Sequence, residues 1–297
     1  MDENKSVGTV VVPDTQKVHY GRVKKIVCQS VLHFVIILTL FLTLYPLVLL
    51  IFKSFKDIPQ DQMDPFTLTF PLHFGNYRTA WLNVQGYIGN SFIITIFQTV
   101  GTLLVASITS FAFVRFRFPL KNFIFLAFLS LIMIPGTLTL VSQYILVNNL
   151  GLVNTFAGVF LPAIAGSIPM NVFLLRSFFG GVNAELFDAA KIDGAGDLRT
   201  FWSIMLPLSM PILLTVAMTT FMGAWNEYVW TRLVLLSDSK HTIAIGVYSF
   251  TNNYYAMTGG YGAPFAAYII SAVPLIVVFA LTSKQFIKGL TSGAFKM

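Results

Sequence analysis

The sequence predicts an all-α membrane protein of six transmembrane helices, with a short helix on the cytoplasmic side between the fourth and the fifth. Three observations predict it. Of the 297 residues, 56% are hydrophobic and 10% charged, whereas a soluble domain is about 25% charged. Six apolar runs approach the roughly 20 residues that a helix rising 1.5 Å per residue needs to cross a bilayer. The basic residues fall unevenly on the segments between those runs.

The first run, Ser30–Phe52, is interrupted only by Pro46 and follows a tail of 29 residues. That tail, with Asp2, Glu3, Pro13 and Asp14, is too long and too mixed for a secretory signal, so the run reads as a retained helix. The second spans Ile88–Val114 and contains Gly101. The third, Phe123–Ile145, carries Pro135-Gly136 at its middle, and the fourth, Thr155–Leu175, carries Pro162, Gly166 and Pro169. These prolines and glycines predict interruptions, read either as ordinary kinks or as broken helices lining a pathway. The fifth run is Met210–Trp230 and the sixth Pro264–Leu281, with Pro274 inside it.

Charge then orients the chain. Fourteen of the 19 Lys and Arg lie in the N-terminal tail (Lys5, Lys17, Arg22, Lys24, Lys25), between runs two and three (Arg115, Arg117, Lys121), between four and five (Arg176, Lys191, Arg199) and in the C-terminal tail (Lys284, Lys288, Lys296). Lys53, Lys56, Arg78, Arg232 and Lys240 fall on the other side. The positive-inside rule places both termini in the cytoplasm. The net charge of +7 therefore reports membrane orientation rather than nucleic-acid binding. Three regions follow: a tail over 1–29, a membrane domain over 30–282 with a cytoplasmic loop at 176–209, and a tail over 283–297.

Two outer segments are rich in aromatic residues. Lys53–Gly86 carries Phe66, Phe70, Phe74, Tyr77 and Trp81, and reads as a structured interfacial cap or as a surface that binds something outside. Thr231–Gly262, with Tyr248, Phe250, Asn252, Asn253, Tyr254, Tyr255 and Tyr261, reads as a flexible loop whose rings and amides suit sugar rings and hydroxyls. Glu227, in Trp225-Asn226-Glu227-Tyr228, is the acid inside a predicted span and must face protein or water. It either pairs with Arg232 at the outer interface or shapes a translocation path together with Asn226 and Tyr228.

The loop at 176–209 is the polar stretch between strongly apolar neighbours. Asn183 can cap a helix with Glu185 in its first turn. Gly194 permits a turn or a close backbone approach, and Leu198, Phe201, Trp202, Met205 and Leu206 recur at helical spacing before Pro207. A helix–turn–helix lying beneath the membrane results, shaped to fill a groove on a soluble partner, with Asp188, Asp193 and Asp197 available to bases there.

No Gly-x-x-x-x-Gly-Lys-Ser/Thr phosphate loop and no His-Glu-x-x-His motif is present. The four histidines are scattered, and the single cysteine, Cys28, permits neither an internal disulfide nor a cysteine cluster. The chain is expected to be no enzyme and to hold no cofactor or metal. Energy must come from a partner or a gradient.

Asp188-Ala189-Ala190, three residues, Gly194, nine residues, Ile204-Met205-Leu206-Pro207 resembles the cytoplasmic signature of the membrane-spanning subunits of binding-protein-dependent ABC importers. The likeness is to the six-span carbohydrate type similar to the maltose permease subunit MalG. The family has Glu where this chain has Asp188, which keeps the charge and shortens its reach by one methylene. Arg115-Phe116-Arg117-Phe118-Pro119, Trp225-Asn226-Glu227-Tyr228 and Phe286–Ala294 are similar to carbohydrate permeases as well. The resemblance implies a type I importer permease of the bacterial inner membrane. It would be paired with a second permease subunit, two ATPase subunits that bind ATP and Mg, and an extracytoplasmic solute-binding protein. Asp188, Ala189, Ala190, Asp193, Gly194, Ile204, Leu206 and Pro207 would couple to the ATPase, and the solute would be a sugar or oligosaccharide. A permease for a non-sugar solute and an ion-coupled secondary transporter are the rival readings. The second would call for intramembrane ionisable pairs, and no partner for Glu227 lies in another span.

Overall fold

The computed structural model describes the backbone of residues 15–294 and the side chains of residues 27–283. The basic residues of both tails, and the side chains of Phe286–Ala294, lie outside the described residues. Thirteen α-helices and no strand are found within them. Four helices, each broken from its neighbours, are long and apolar enough to cross a membrane, and two bent pairs raise that number to six if each pair is one span. The protein is an all-helical, multi-pass membrane protein.

The elements in order are α1 (Thr15–Ser54), α2 (Ile58–Met63), α3 (Gly75–Arg115), α4 (Lys121–Ile132), α5 (Gly136–Asn149), α6 (Phe156–Phe179), α7 (Ala184–Ile192), α8 (Asp197–Thr200), α9 (Leu206–Leu208), α10 (Met210–Asn226), α11 (Val229–Val234), α12 (Ile243–Thr258) and α13 (Gly262–Ala294). A π-helical turn, Phe201–Met205, joins α8 to α9.

The 41-residue α3 is the spine: α6, α10, α12 and α13 all pack on it. Its buried Ser91, Thr95, Thr99, Thr102, Ala106 and Ser110 recur every three or four residues, so they share one face. Small side chains let helix backbones approach where apolar surroundings give helix association no hydrophobic drive. Thr102 Oγ1 meets Ser167 Oγ of α6 at 3.0 Å, and Ser110 Oγ donates to the Val172 carbonyl at 3.3 Å. Helix α1 packs on α13 and keeps most of its apolar surface exposed.

Proline acted differently in the two interrupted spans. Pro162 and Pro169 lie inside one continuous α6, because α6 lies along α3 and packing holds the helix across the missing N–H groups. At Pro135-Gly136 the chain turns by 99° between α4 and α5. That is a break between two segments and not a kink.

The expected loop over Lys53–Gly86 is a folded cap followed by the first three turns of α3. Asp57 and Gln60 form a capping box that starts α2. Asn76 Nδ2 donates to the carbonyls of Ser54 and Lys56 at 2.9 Å each, Ser54 Oγ meets Tyr77 OH at 2.8 Å, and Lys53 pairs with Asp61 at 2.9 Å. Lys56 is only 1% exposed and its ammonium is bonded to the Asp64 carbonyl. The second outer segment is also no flexible loop. Most of it is α12, closed by Gly259 in the left-handed conformation at φ +72°, where a residue without Cβ costs least.

Helix α13 starts against this cap. A Cβ on Gly262 would overlap the Lys56 carbonyl and the Asn76 side chain. Gly262→Ala is therefore expected to destabilise the protein by about 1–3 kcal/mol through overpacking. Thermal unfolding in detergent checks it, and Gly75→Ala, with open space around its Cβ, is the control.

Candidate functional site

Two places at opposite ends of α3 hold the residues singled out above. At the end formed by Arg115 and Phe179, the segment from α7 to α9 folds across the helix termini. Asn183 Oδ1 accepts from the Glu185 N–H at 3.1 Å and caps α7. The helix closes with two bonds: the Gly194 N–H to the Lys191 carbonyl at 3.1 Å, and the Ala195 N–H to the Ala190 carbonyl at 2.9 Å. This is a Schellman motif, and it demands a left-handed residue one past the C-cap. Gly194 supplies it at φ +75°. The spacing between Ala190 and Gly194 is thus set by hydrogen bonding. Space around Gly194 is open, so it serves a turn and no close approach.

Phe187, 2% exposed, anchors α7 in a core of Phe111, Phe113, Leu175, Phe179, Phe201 and Met205. The Arg115 guanidinium lies 4.4 Å over the Phe187 ring, and that of Arg176 lies 3.6 Å over Phe125. Ala190 faces inward, while Asp188, Ala189, Asp193, Gly194 and Pro207 are exposed and Ile204 and Leu206 half-buried. Only part of the apolar series after Gly194 turns inward. Phe201 and Met205 are buried, Leu198 is 73% exposed, and Trp202 also stands outside. Ile192, which periodicity alone gave no reason to notice, is 87% exposed. The segment therefore presents three large apolar side chains beside Asp188, Asp193 and Asp197, uncovered by the rest of the chain.

At the other end, α10 stops at Asn226. Glu227 has an extended backbone and its carboxylate accepts from the Trp230 N–H at 2.9 Å, starting α11. The acid is thus at a break between helices and not inside a span. Arg232 does not pair with it. Its Nη1 meets His241 Nε2 at 3.2 Å, while His241 Nδ1 meets Asp238 Oδ1 at 3.3 Å. Arginine only donates, so Nε2 accepts and the proton sits on Nδ1. Burial holds the imidazole below its ordinary pKa, opposed by Asp238 and assisted by Arg232.

Beside this break lies a cavity of about 240 Å³ lined by Trp225, Asn226, Tyr228, Val247, Tyr248 and Tyr268, with Ser271 and the start of α12 completing it. The Tyr228 and Tyr248 rings sit 4.9 Å apart at 51°. Trp225 Nε1 donates to the Ser271 carbonyl at 3.2 Å and Asn226 Nδ2 to the Met222 carbonyl at 2.8 Å. Of the three residues expected on a path, Asn226 and Tyr228 line the cavity and Glu227 does not. Tyr248 was legible as an aromatic near amides; Trp225 and Tyr268 come from separate helices, and no local pattern joins them. The lining contains no charged side chain. Among the described residues, no cluster of His, Cys, Asp or Glu is arranged to hold a metal.

Residues 21–291 match the family described as binding-protein-dependent transport system inner membrane component. Among curated relatives, the diacetylchitobiose uptake system permease protein NgcG of Streptomyces coelicolor is 29% identical over 269 residues, covering 90% of this chain and 89% of its own. The galactooligosaccharides transport system permease protein GanQ of Bacillus subtilis is 35% identical over 213 residues, 72% of this chain and 74% of its own. The sn-glycerol-3-phosphate transport system permease protein UgpE of Yersinia pestis is 33% identical over 271 residues, 88% and 95%. The likeness is to the family and not to the maltose subunit in particular.

Removing the cap acceptor with Glu227→Ala is expected to cost about 1 kcal/mol, read as a lowered unfolding temperature in detergent, with Glu227→Gln losing less. The His241 shift carries a sign as well. Below about pH 6.5 an unfolded chain takes up this proton before the folded one does, so folding weakens as pH falls through that value. His241→Gln is expected to flatten that part of the stability curve between pH 7.5 and 5.5.

Proposed function

We propose that this chain, which belongs to the family of binding-protein-dependent transport system inner membrane components, is one permease subunit of an ATP-driven importer for sugars or oligosaccharides. In this reading each bent helix pair is one span and the chain crosses the bacterial inner membrane six times. The tails over 1–29 and 283–297 and the loop over 176–209 are cytoplasmic, and residues 30–282 form half of a translocation path. A second permease subunit supplies the other half. Two ATPase subunits bind ATP and Mg, and a solute-binding protein delivers the solute from outside.

The observation that carries the reading is the α7–α9 segment. Its signature spacing is accounted for by a helix cap and a Schellman closure, and it holds acids and bare apolar side chains outward. Ile192, Leu198 and Trp202 form the apolar centre of a docking surface, and Asp188 and Asp193 its polar rim. Ala189, Ala190, Gly194, Ile204, Leu206 and Pro207 fix its shape. Binding of ATP by the partner would shift the permease between inward- and outward-open states by its differential affinity for them. This chain does no ATP chemistry of its own.

For the solute, the uncharged cavity beside Asn226 and Tyr228 is the supporting feature. Ring faces suit the apolar faces of a sugar, and amide and hydroxyl groups suit its hydroxyls. Glu227 shapes the path by holding the α10–α11 break. At about 240 Å³ the cavity is smaller than the roughly 300 Å³ of a complete small-molecule site, which fits a path shared with a second subunit. A non-sugar reading has one specific support, the relative named for sn-glycerol-3-phosphate. Phosphate recognition leans on Arg, Lys or clustered N–H groups, and the lining offers no such side chain. A neutral sugar is the better fit.

ATP hydrolysis by the reconstituted complex tests the reading. Hydrolysis should rise with binding protein loaded with diacetylchitobiose or galacto-oligosaccharides. In Gly194→Asp the left-handed position costs about 1–2 kcal/mol, and the stimulated rate should fall roughly tenfold while the complex remains assembled. Unchanged stimulation in this variant would remove the role given to the segment.

A further inference from the structure

We infer that Arg115 is a positioning residue that makes α3 the rod linking the docking segment to the outer cavity, through its stack on Phe187; this rests on the coupling role proposed above. Arg115 lies in the last turn of α3. Its guanidinium lies 4.4 Å over the ring of Phe187, and among the described residues it has no carboxylate within ion-pair distance. Phe187 is the buried anchor of α7, next in sequence to Asp188. A displacement of α7 by a docked partner therefore arrives first at the Phe187 ring, and the cation seated on that ring carries it to the end of α3. A planar cation over an aromatic face resists separation yet allows sliding, which suits a joint that must move and stay joined.

The other end of the same helix grips the cavity wall. The Ile243 N–H donates to Ser91 Oγ at 2.7 Å, and Asn90 Nδ2 donates to the carbonyls of Ser239 and His241 at 2.9 Å each. These bonds fix the first turn of α12, whose Ile243, Ala244, Val247 and Tyr248 line the cavity. Between the two grips α3 is one uninterrupted helix of 41 residues. The second aromatic tie at the docking end, Phe111 against Phe201 at 5.2 Å, lies behind the π-helical turn and not on α7. Arg115 is thus the charged contact that reaches α7 itself.

Spatial continuity alone does not establish coupling, so the test reads motion at the far end. In the full complex, with Cys28→Ser as background, Asn253→Cys on the exposed face of α12 carries a fluorescent reporter. Its response to trapping the ATPase subunits with ATP and vanadate is recorded in liposomes. Arg115→Met is expected to keep basal hydrolysis while the reporter response falls about fivefold. Arg115→Lys, which retains a cation, should recover most of it. Phe187→Leu should reproduce the loss, and the double variant with Arg115→Met should lose no more than either alone, as two partners in one contact require. If Arg115→Met fails to assemble, Phe187→Leu against Phe187→Tyr makes the same comparison. A wild-type response that persists undiminished in Arg115→Met, or additive losses in the double variant, would overturn the role of Arg115 and leave the coupling reading standing. A wild-type complex with no response at all would overturn both.

Discussion

Close approach of α3 and α6 is the constraint on which the remaining structure depends. The Ser, Thr and Ala face of α3 places it against α6 with Thr102 on Ser167 and Ser110 on the Val172 carbonyl. That contact keeps α6 straight through two prolines. It also brings the ends of the two helices together, so that Phe113, Leu175, Phe179 and Phe187 form one core under the docking segment. In water such an interface would be weak. In apolar surroundings, packing and interhelical hydrogen bonds are the forces available.

Where the helices stop matters as much as where they run. Each interruption exposes backbone groups that need partners, and the sequence supplies them locally. Asn183 and the Schellman bonds close both ends of α7, Glu227 starts α11, and Asp57 with Gln60 starts α2. The interruptions fall beside the two regions with functional character. One holds exposed acids and apolar side chains; the other holds an uncharged aromatic cavity. A single long helix connects them, so the chemistry of one end and the mechanics of the other need not share any residue.

The apolar runs were legible because a bilayer-length stretch is a composition signal that tertiary context seldom overturns. The cap at Asn183 and the turn at Gly194 were legible because each is enforced within a few residues. Four features were not. Helix α12 hides behind tyrosine and asparagine, which fit turns and interfaces as readily as helices. The break at Glu227 follows from its carboxylate bonding an N–H three residues ahead, and an apolar window cannot register that. Continuity of α6 through Pro162 and Pro169 is imposed by α3 and is absent from the local sequence. The outward turn of Leu198 depends on the π-helical turn at Phe201–Met205, which shifts the 3.6-residue count. The cavity joins Trp225, Tyr248 and Tyr268 from three helices, and only packing brings them together.

The central claim is that hydrolysis of ATP by partners drives a neutral sugar through a path shaped partly by this chain. Uptake of radiolabelled neutral oligosaccharide into liposomes bearing the complete complex, with ATP on the ATPase side and binding protein on the other, measures it directly. Accumulation that requires ATP, persists without any ion gradient and is indifferent to an added polyol phosphate is the predicted result. Uptake that follows an imposed ion gradient without ATP, or that is specific for the phosphorylated solute, would contradict it.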